Sequence, residues 1–360
     1  MNGGYYYFEP LLPSLSLDEE RSMRKCYGRV FLSLAVYTVC AILVILILEL
    51  GVLLFLGDKA MEFLSGDIFL WGSQVLSMYV IAFPVLWLIV RPLPKKRAAR
   101  SKISVEEFVV LFLISEAIML VGSMISTAIT SALSGVLGYE IEDSTSELIM
   151  NSPEWLIILV AVVLGPVFEE LIFRKLFIDA TSRYGDRLAV IVSAVSFGIF
   201  HGNFSQLIYA GTLGLVLGYL YVKTRNILYP IALHVLMNLI GTAPAVFAKD
   251  SIARIEELAE ATEISGEEAI AMLGDSMTVM GISLVQYVLA ALGIVAFVVV
   301  LRRGLIKLPD NTYERTNSEG EPELLTVPRG QAAKCVCLSV GAVLFLITVV
   351  IEFVLSILPA

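Results

Sequence analysis

Histidine is the scarcest residue type in this sequence: two in 360 positions, His201 and His234. Cysteine is hardly commoner. Cys26, Cys335 and Cys337 lie beside basic flanks of cytosolic type and Cys40 lies inside an apolar run, so free thiols are expected rather than a disulfide framework. The C-x-C of 335–337 is by itself a weak metal signal. No H-E-x-x-H helix is present, which excludes the usual zinc-protease signature. Positive charge is short too: 25 Lys and Arg against 34 Asp and Glu give a net charge of −9. No strongly basic surface suggests a nucleic-acid or phosphate partner. There is no visible internal repeat, which counts against an inverted-repeat transporter.

Apolar residues are what the chain has in excess. They make up 58% of it, and the mean hydropathy is +0.84. Much of that lies in runs of about 20 residues or more, long enough to cross about 30 Å of hydrocarbon as helix. The expectation is an all-α, polytopic transmembrane bundle of about nine spans, near 30–56, 68–90, 104–132, 155–178, 188–203, 206–222, 227–248, 279–301 and 335–358. The first run is too long for a signal-peptide core and reads as a retained span. With the N-terminus in the cytosol, the inside segments hold 22 of the 25 Lys and Arg, and the outside loop 133–154 has five carboxylates and no basic residue. That asymmetry predicts N-terminus cytoplasmic and C-terminus extracytoplasmic. The acidic stretch 249–278 reads as one or two amphipathic helices outside, and 309–330 as a mobile cytosolic loop. The fifth and sixth segments are short, so the "HGNFS" between them is expected to turn inside the bilayer, with Gly214 and Gly218 as a packing seam.

The run "GPVFEELIFRKLF", 165–177, raises a question of cost. Each ionised side chain costs about 2.5–3.5 kcal/mol at a bilayer centre, yet Glu169, Glu170 and Arg174 sit there together. Glu170 and Arg174 are four apart on one helix face and can neutralise each other, whereas Glu169 points elsewhere with no local partner. Pro166 is expected to kink the helix and open room for water. Phe197 and His201 share a face in one helix, as do His234 and Asn238 in another. Singly, each histidine reads as an interhelical hydrogen bonder; jointly, three helices with matched polar faces are hard to explain as packing. Glu49 and Glu352, near outer ends, read as snorkelling, and Glu116 as a helix–helix hydrogen bonder. A carboxylate beside an imidazole can activate water, with a second imidazole and an amide to steady an oxyanion. Alternatively, Glu169, His201 and His234 could hold zinc or another divalent metal with an open position. Both versions describe peptide-bond hydrolysis at a buried site expected to face the cytosol.

At these residues the chain resembles the CPBP family of intramembrane proteases, which covers CAAX prenyl proteases and bacteriocin-processing proteins and was formerly called Abi. The matches are E-E-x-x-x-R at Glu169, Glu170 and Arg174, F-x-x-x-H at Phe197 and His201, and H-x-x-x-N at His234 and Asn238. The resemblance implies Glu169 and His201 as water activators, His234 and Asn238 as the oxyanion pair, and Glu170, Arg174 and Phe197 as support. It implies 1–150 as N-terminal spans and 150–248 as the catalytic core. Beyond these lie 249–278 as an extracytoplasmic acidic segment and 279–360 as C-terminal spans with a cytosolic linker, 302–334. The implied partners are a lipid bilayer and a protein or peptide substrate, cut near its C-terminus when membrane-associated or prenylated. A metal-free glutamate mechanism stays open beside the metal one, and a bacterial plasma membrane is the expected location. The competing readings are a proton-coupled transporter and a non-catalytic scaffold or bacteriocin immunity protein.

Overall fold

The computed structural model describes residues 15–358 except 97–98, 142, 262–263, 305–311 and 317–321. Glu142 of the acidic outer loop, Arg97 of the basic segment 91–102 and much of the linker 302–334 therefore lie outside the described residues. The chain runs through α1 (Leu17–Leu56), α2 (Asp67–Val90), α3 (Val105–Leu137), α4 (Ser144–Asn151) and α5 (Glu154–Tyr184). It continues through α6 (Asp186–Phe200), α7 (Phe204–Thr224), α8 (Leu228–Gly241), α9 (Lys249–Glu260) and α10 (Gly266–Arg303). A hairpin of β1 (Thr312–Thr316) and β2 (Pro322–Thr326) precedes α11 (Arg329–Cys337) and α12 (Val340–Leu355). The fold is all-α and polytopic.

All nine expected segments are helical, but six helices are long and apolar enough to cross a membrane, or seven if α11 and α12, bent by 65°, make one span. The shortfall from nine has a simple cause. α6 and α8 have 15 and 14 residues, about 21–22 Å at 1.5 Å per residue and short of the ~30 Å hydrocarbon core. The turn after α6 therefore falls at membrane depth. Gly202 takes φ +66° there, a conformation open to glycine at no steric cost. Asn203 then caps α7, accepting from the Gln206 N–H at 2.9 Å while donating to the His201 carbonyl at 2.9 Å. Such irregular backbone is tolerated at depth because protein covers it. Gly214 and Gly218 serve as the expected seam, facing Ala194 and Val190 of α6.

The two ends of the bundle differ in chemistry. At one end Lys96 and Arg225 both pair with Asp186, at 3.2 and 2.7 Å, and the Ser101 N–H donates to the Thr224 carbonyl at 2.9 Å. Burial works against the Asp186 charge, but the Arg225 hydrogen bond and charge, helped by Lys96, outweigh it and hold the carboxyl below the usual carboxylate range. At the other end the Tyr139 hydroxyl donates to the Ile357 carbonyl at 2.6 Å and Lys249 Nζ to the Ser152 carbonyl at 3.0 Å.

Two accessory segments differ from expectation. The stretch read as a mobile loop, 309–330, carries the hairpin, in which Tyr313 pairs with Leu325. Tyr313, Leu325 and Val327 are buried in the same apolar core as Met23 and Tyr27 of α1. Their alternation is masked in sequence by the polar, Gly- and Pro-containing residues around them. The second half of 249–278 is no separate element either: α10 starts at Gly266 and continues unbroken, tied to α9 by Asp275, which accepts from Ser251 at 2.8 Å and pairs with Arg254.

Where α12 crosses α1, a Cβ on Gly341 would sit 1.8 Å from the Gly28 carbonyl oxygen, so the helices touch backbone to backbone. Gly341→Ala is expected to cost about 1–3 kcal/mol through overpacking. Gly274→Ala, where a Cβ meets nothing within 4 Å, is expected to be neutral or stabilising by up to about 1 kcal/mol. Thermal unfolding in detergent separates the two.

Candidate active site

The helix that carries the carboxylates is not uniformly wound. α5 has wider, π-type turns over Ile157–Leu164 and Leu171–Ile178, with an α turn, Gly165–Glu170, between them. Pro166 opens that turn, where a missing N–H does little harm, so the irregularity expected at the proline takes the form of altered winding. Neighbours fix the geometry. Phe168 stacks on Tyr79 of α2 with ring centroids 4.4 Å apart, and Ser193 of α6 donates to the Phe173 carbonyl at 2.7 Å.

His234 of α8 inserts between the two carboxylates. Its Nδ1 lies 2.9 Å from Glu170 Oε1, and its Nε2 lies 3.6 Å from Glu169 Oε2. The same Glu170 oxygen is 3.1 Å from Arg174 Nη1, and both side chains of that ion pair are fully buried. Glu170 is thus more than a partner for Arg174: it also orients an imidazole. The Arg174 guanidinium rests over the Phe197 ring at 4.5 Å. That ring meets His201 edge-on at 4.9 Å and His234 at 5.7 Å. Phe197, one residue of an otherwise weak motif, is the wall shared by Arg174 and both histidines.

The remaining motif residues are held by backbone. His201 Nδ1 lies 2.7 Å from the Phe197 carbonyl. A carbonyl only accepts, so Nδ1 carries the proton and Nε2 of the neutral ring is an acceptor. Asn238 donates from Nδ2 to the Ala161 carbonyl at 2.9 Å, which leaves its second N–H. Glu169, 28% exposed, lines a cavity of about 1340 Å³ together with Phe197, His201, His234 and Asn238. Glu169 sits midway along the 31-residue α5, about 22 Å from either end, and His201 follows the 15-residue α6, also about 22 Å from its start.

Two expectations need correction. The cavity does not face the cytosolic-type end: its lining runs out to Ser131, Glu140 and Ser146, which are exposed, and among the described residues none of 91–104, 174–187 or 223–227 lines it. Glu352 does not snorkel. It lines the same cavity, and it packs so closely on the turn that a Cβ on Gly202 would lie 2.8 Å from its own Cβ. Glu352 was visible in sequence as the only carboxylate in the last apolar run, but nothing there linked it to the turn after His201. Glu116 is buried outside the cavity, and its Oε1 has no hydrogen-bond partner among the described residues. Among those residues no three His, Cys, Asp or Glu are grouped as a metal ion needs.

The chain is therefore a polytopic helical membrane protein with a carboxylate–imidazole cluster lining a deep cavity. Residues 151–240, which hold every motif residue, match the family described as "Type II CAAX prenyl endopeptidase Rce1-like", in support of the resemblance to the CPBP intramembrane proteases. It is similar to a Bacillus subtilis (strain 168) protein named "Putative membrane peptidase YdiL", with 29% identity over 162 residues, 44% of this chain and 66% of that one. The match thus spans just under two thirds of the relative. No solved structure matches the chain.

Removing one member of a buried ion pair strands the other. Arg174→Met is expected to cost about 3–5 kcal/mol, and Glu170→Leu with Arg174→Met far less, because no charge is left unpaired. Unfolding midpoints in detergent test this; equal losses in the single and double variants would refute it.

Proposed function

We propose that the chain is an intramembrane endopeptidase in which Glu169 and His201 activate a water and His234 with Asn238 stabilise the oxyanion. The observation that carries this reading is the cavity itself, which collects Glu169, His201, His234 and Asn238 from three helices while Glu170, Arg174 and Phe197 hold them from behind.

In the proposed reaction, a water between Glu169 and His201 gives its proton to the Glu169 carboxylate as its oxygen attacks the substrate carbonyl carbon. The C–O bond forms and the carbonyl electrons move to oxygen. The second N–H of Asn238 and the Nε2–H of a protonated His234 face that charge. Glu170, 2.9 Å from Nδ1 of His234, keeps that nitrogen as a donor. The C–N bond then breaks as Glu169 passes its proton to the leaving nitrogen, giving an acid and an amine. Arg174 cancels the charge of Glu170, so the site holds one working carboxylate instead of two that repel.

The proposed substrate is a membrane-associated polypeptide, cut near its C-terminus, with the prenylated tail as the class the family resemblance suggests. The proposed setting is a bacterial plasma membrane, N-terminus cytoplasmic and C-terminus outside, on the strength of the Lys and Arg asymmetry. A proton-coupled transporter would need titratable groups lining a path to both ends, and the cavity lining reaches one. A scaffold would be indifferent to Glu169.

The test is cleavage of a quenched prenyl-peptide by the purified full chain. Glu169→Gln and His201→Ala are expected to lose about 10²–10⁴-fold in rate at unchanged protein level. EDTA is expected to leave wild-type cleavage intact. Full cleavage by Glu169→Gln would refute the assignment, and its abolition by EDTA would replace the glutamate route with a metal one.

A further inference from the structure

We infer that the site is reached from the membrane side opposite the Lys96–Asp186–Arg225 cluster, through an acidic, hydroxyl-walled funnel fitted to an extended peptide segment that carries positive charge. The substrate role of the funnel rests on the peptidase reading; its sidedness and charge selection do not.

Four observations lead there. The first is direction: the lining climbs from Glu169 to the exposed Ser131, Glu140 and Ser146 and includes no residue of the basic end. The second is the wall. Ser123, Ser126, Thr127, Thr130, Ser131 and Ser134 of α3 all line it, spaced three and one apart so that they form one stripe along the helix. Thr130 donates to the Ser126 carbonyl and Ser134 accepts from the Ile141 N–H, each at 3.0 Å, and the whole stripe faces the cavity instead of a neighbouring helix. A peptide leaving water can use such a ladder, because its backbone N–H and C=O groups need partners at depth. Ser126 is 2% exposed, and its hydroxyl has no hydrogen-bond partner among the described residues.

The third observation is charge. Glu140, Asp143, Glu169 and Glu352 line the funnel, and no Lys or Arg does. Low-dielectric walls focus such a field, so a cationic segment is drawn in and an anionic one repelled. The fourth is size. At about 1340 Å³ the cavity exceeds the ~300–1,000 Å³ usual for small-molecule sites and suits several residues of chain. The Lys and Arg distribution puts the funnel mouth outside the cell. The substrate class is then a membrane-held polypeptide whose basic segment lies on the extracytoplasmic side.

The experiment uses the full chain in membranes and reads thiol modification by an impermeant maleimide above the wild-type background. Ser131→Cys and, as a second reporter, Ser146→Cys are expected to react in right-side-out vesicles. Arg187→Cys, at the basic end, is expected to react only in inverted ones. Hexalysine is expected to slow Ser131→Cys modification about three- to tenfold and hexaglutamate not at all, and Glu140→Gln with Asp143→Asn to remove the difference. Reaction of both reporters only in inverted vesicles would overturn the sidedness, and equal effects of the two peptides would overturn the charge selection. No arm measures cleavage, so a failed peptidase reading shows separately, in the prenyl-peptide assay.

Discussion

The site depends on one buried charge pair. Glu170 and Arg174 are both fully excluded from solvent, and in such surroundings each charge tolerates burial only because the other is there. That mutual need fixes more than two side chains. The Glu170 oxygen that holds Arg174 also holds His234, and the guanidinium lies on the ring that backs both histidines. Helices α6 and α8 thus meet α5 at this pair, through Phe197 and His234. Glu169, one residue away, is left at the cavity, where His234 Nε2 lies 3.6 Å from it, so the two neighbouring carboxylates are separated by what each one faces.

The second constraint is the shortness of α6. A helix that stops at membrane depth must turn there, and the turn exposes backbone that has to be covered. Gly202 allows the reversal, Asn203 satisfies the start of α7, and Glu352 of the last helix packs over it. The space beyond this turn, bounded by α3, is the cavity. A span of ordinary length would have filled that space with helix and placed His201 in a loop outside the membrane. The short helix thus produces the histidine's position and the water-accessible volume together.

Much of the site was legible from spacing. Four-residue intervals put Glu170 with Arg174, Phe197 with His201 and His234 with Asn238 on shared faces, because helical periodicity is local and survives in any context. What spacing could not express was His234 bridging two adjacent carboxylates. Residues 100° apart can share a partner only if a third helix inserts between them. The Tyr313–Leu325 pair was hidden for a related reason: a two-strand hairpin has a short pattern, easily lost among polar residues. Glu352 was read by the rule for helix ends, and that rule fails when another element occupies the end.

The sequence by itself determined the membrane class, the nine helical segments, the basic and acidic ends and the residues proposed to carry the chemistry. Each of these follows from local composition or from contacts within one helix. The tertiary structure alone decided that Glu170 serves two partners, that Glu352 joins the cavity and that the cavity opens at the acidic end. Those depend on how separate helices pack, and packing is set by surfaces distant in the chain that no single segment encodes.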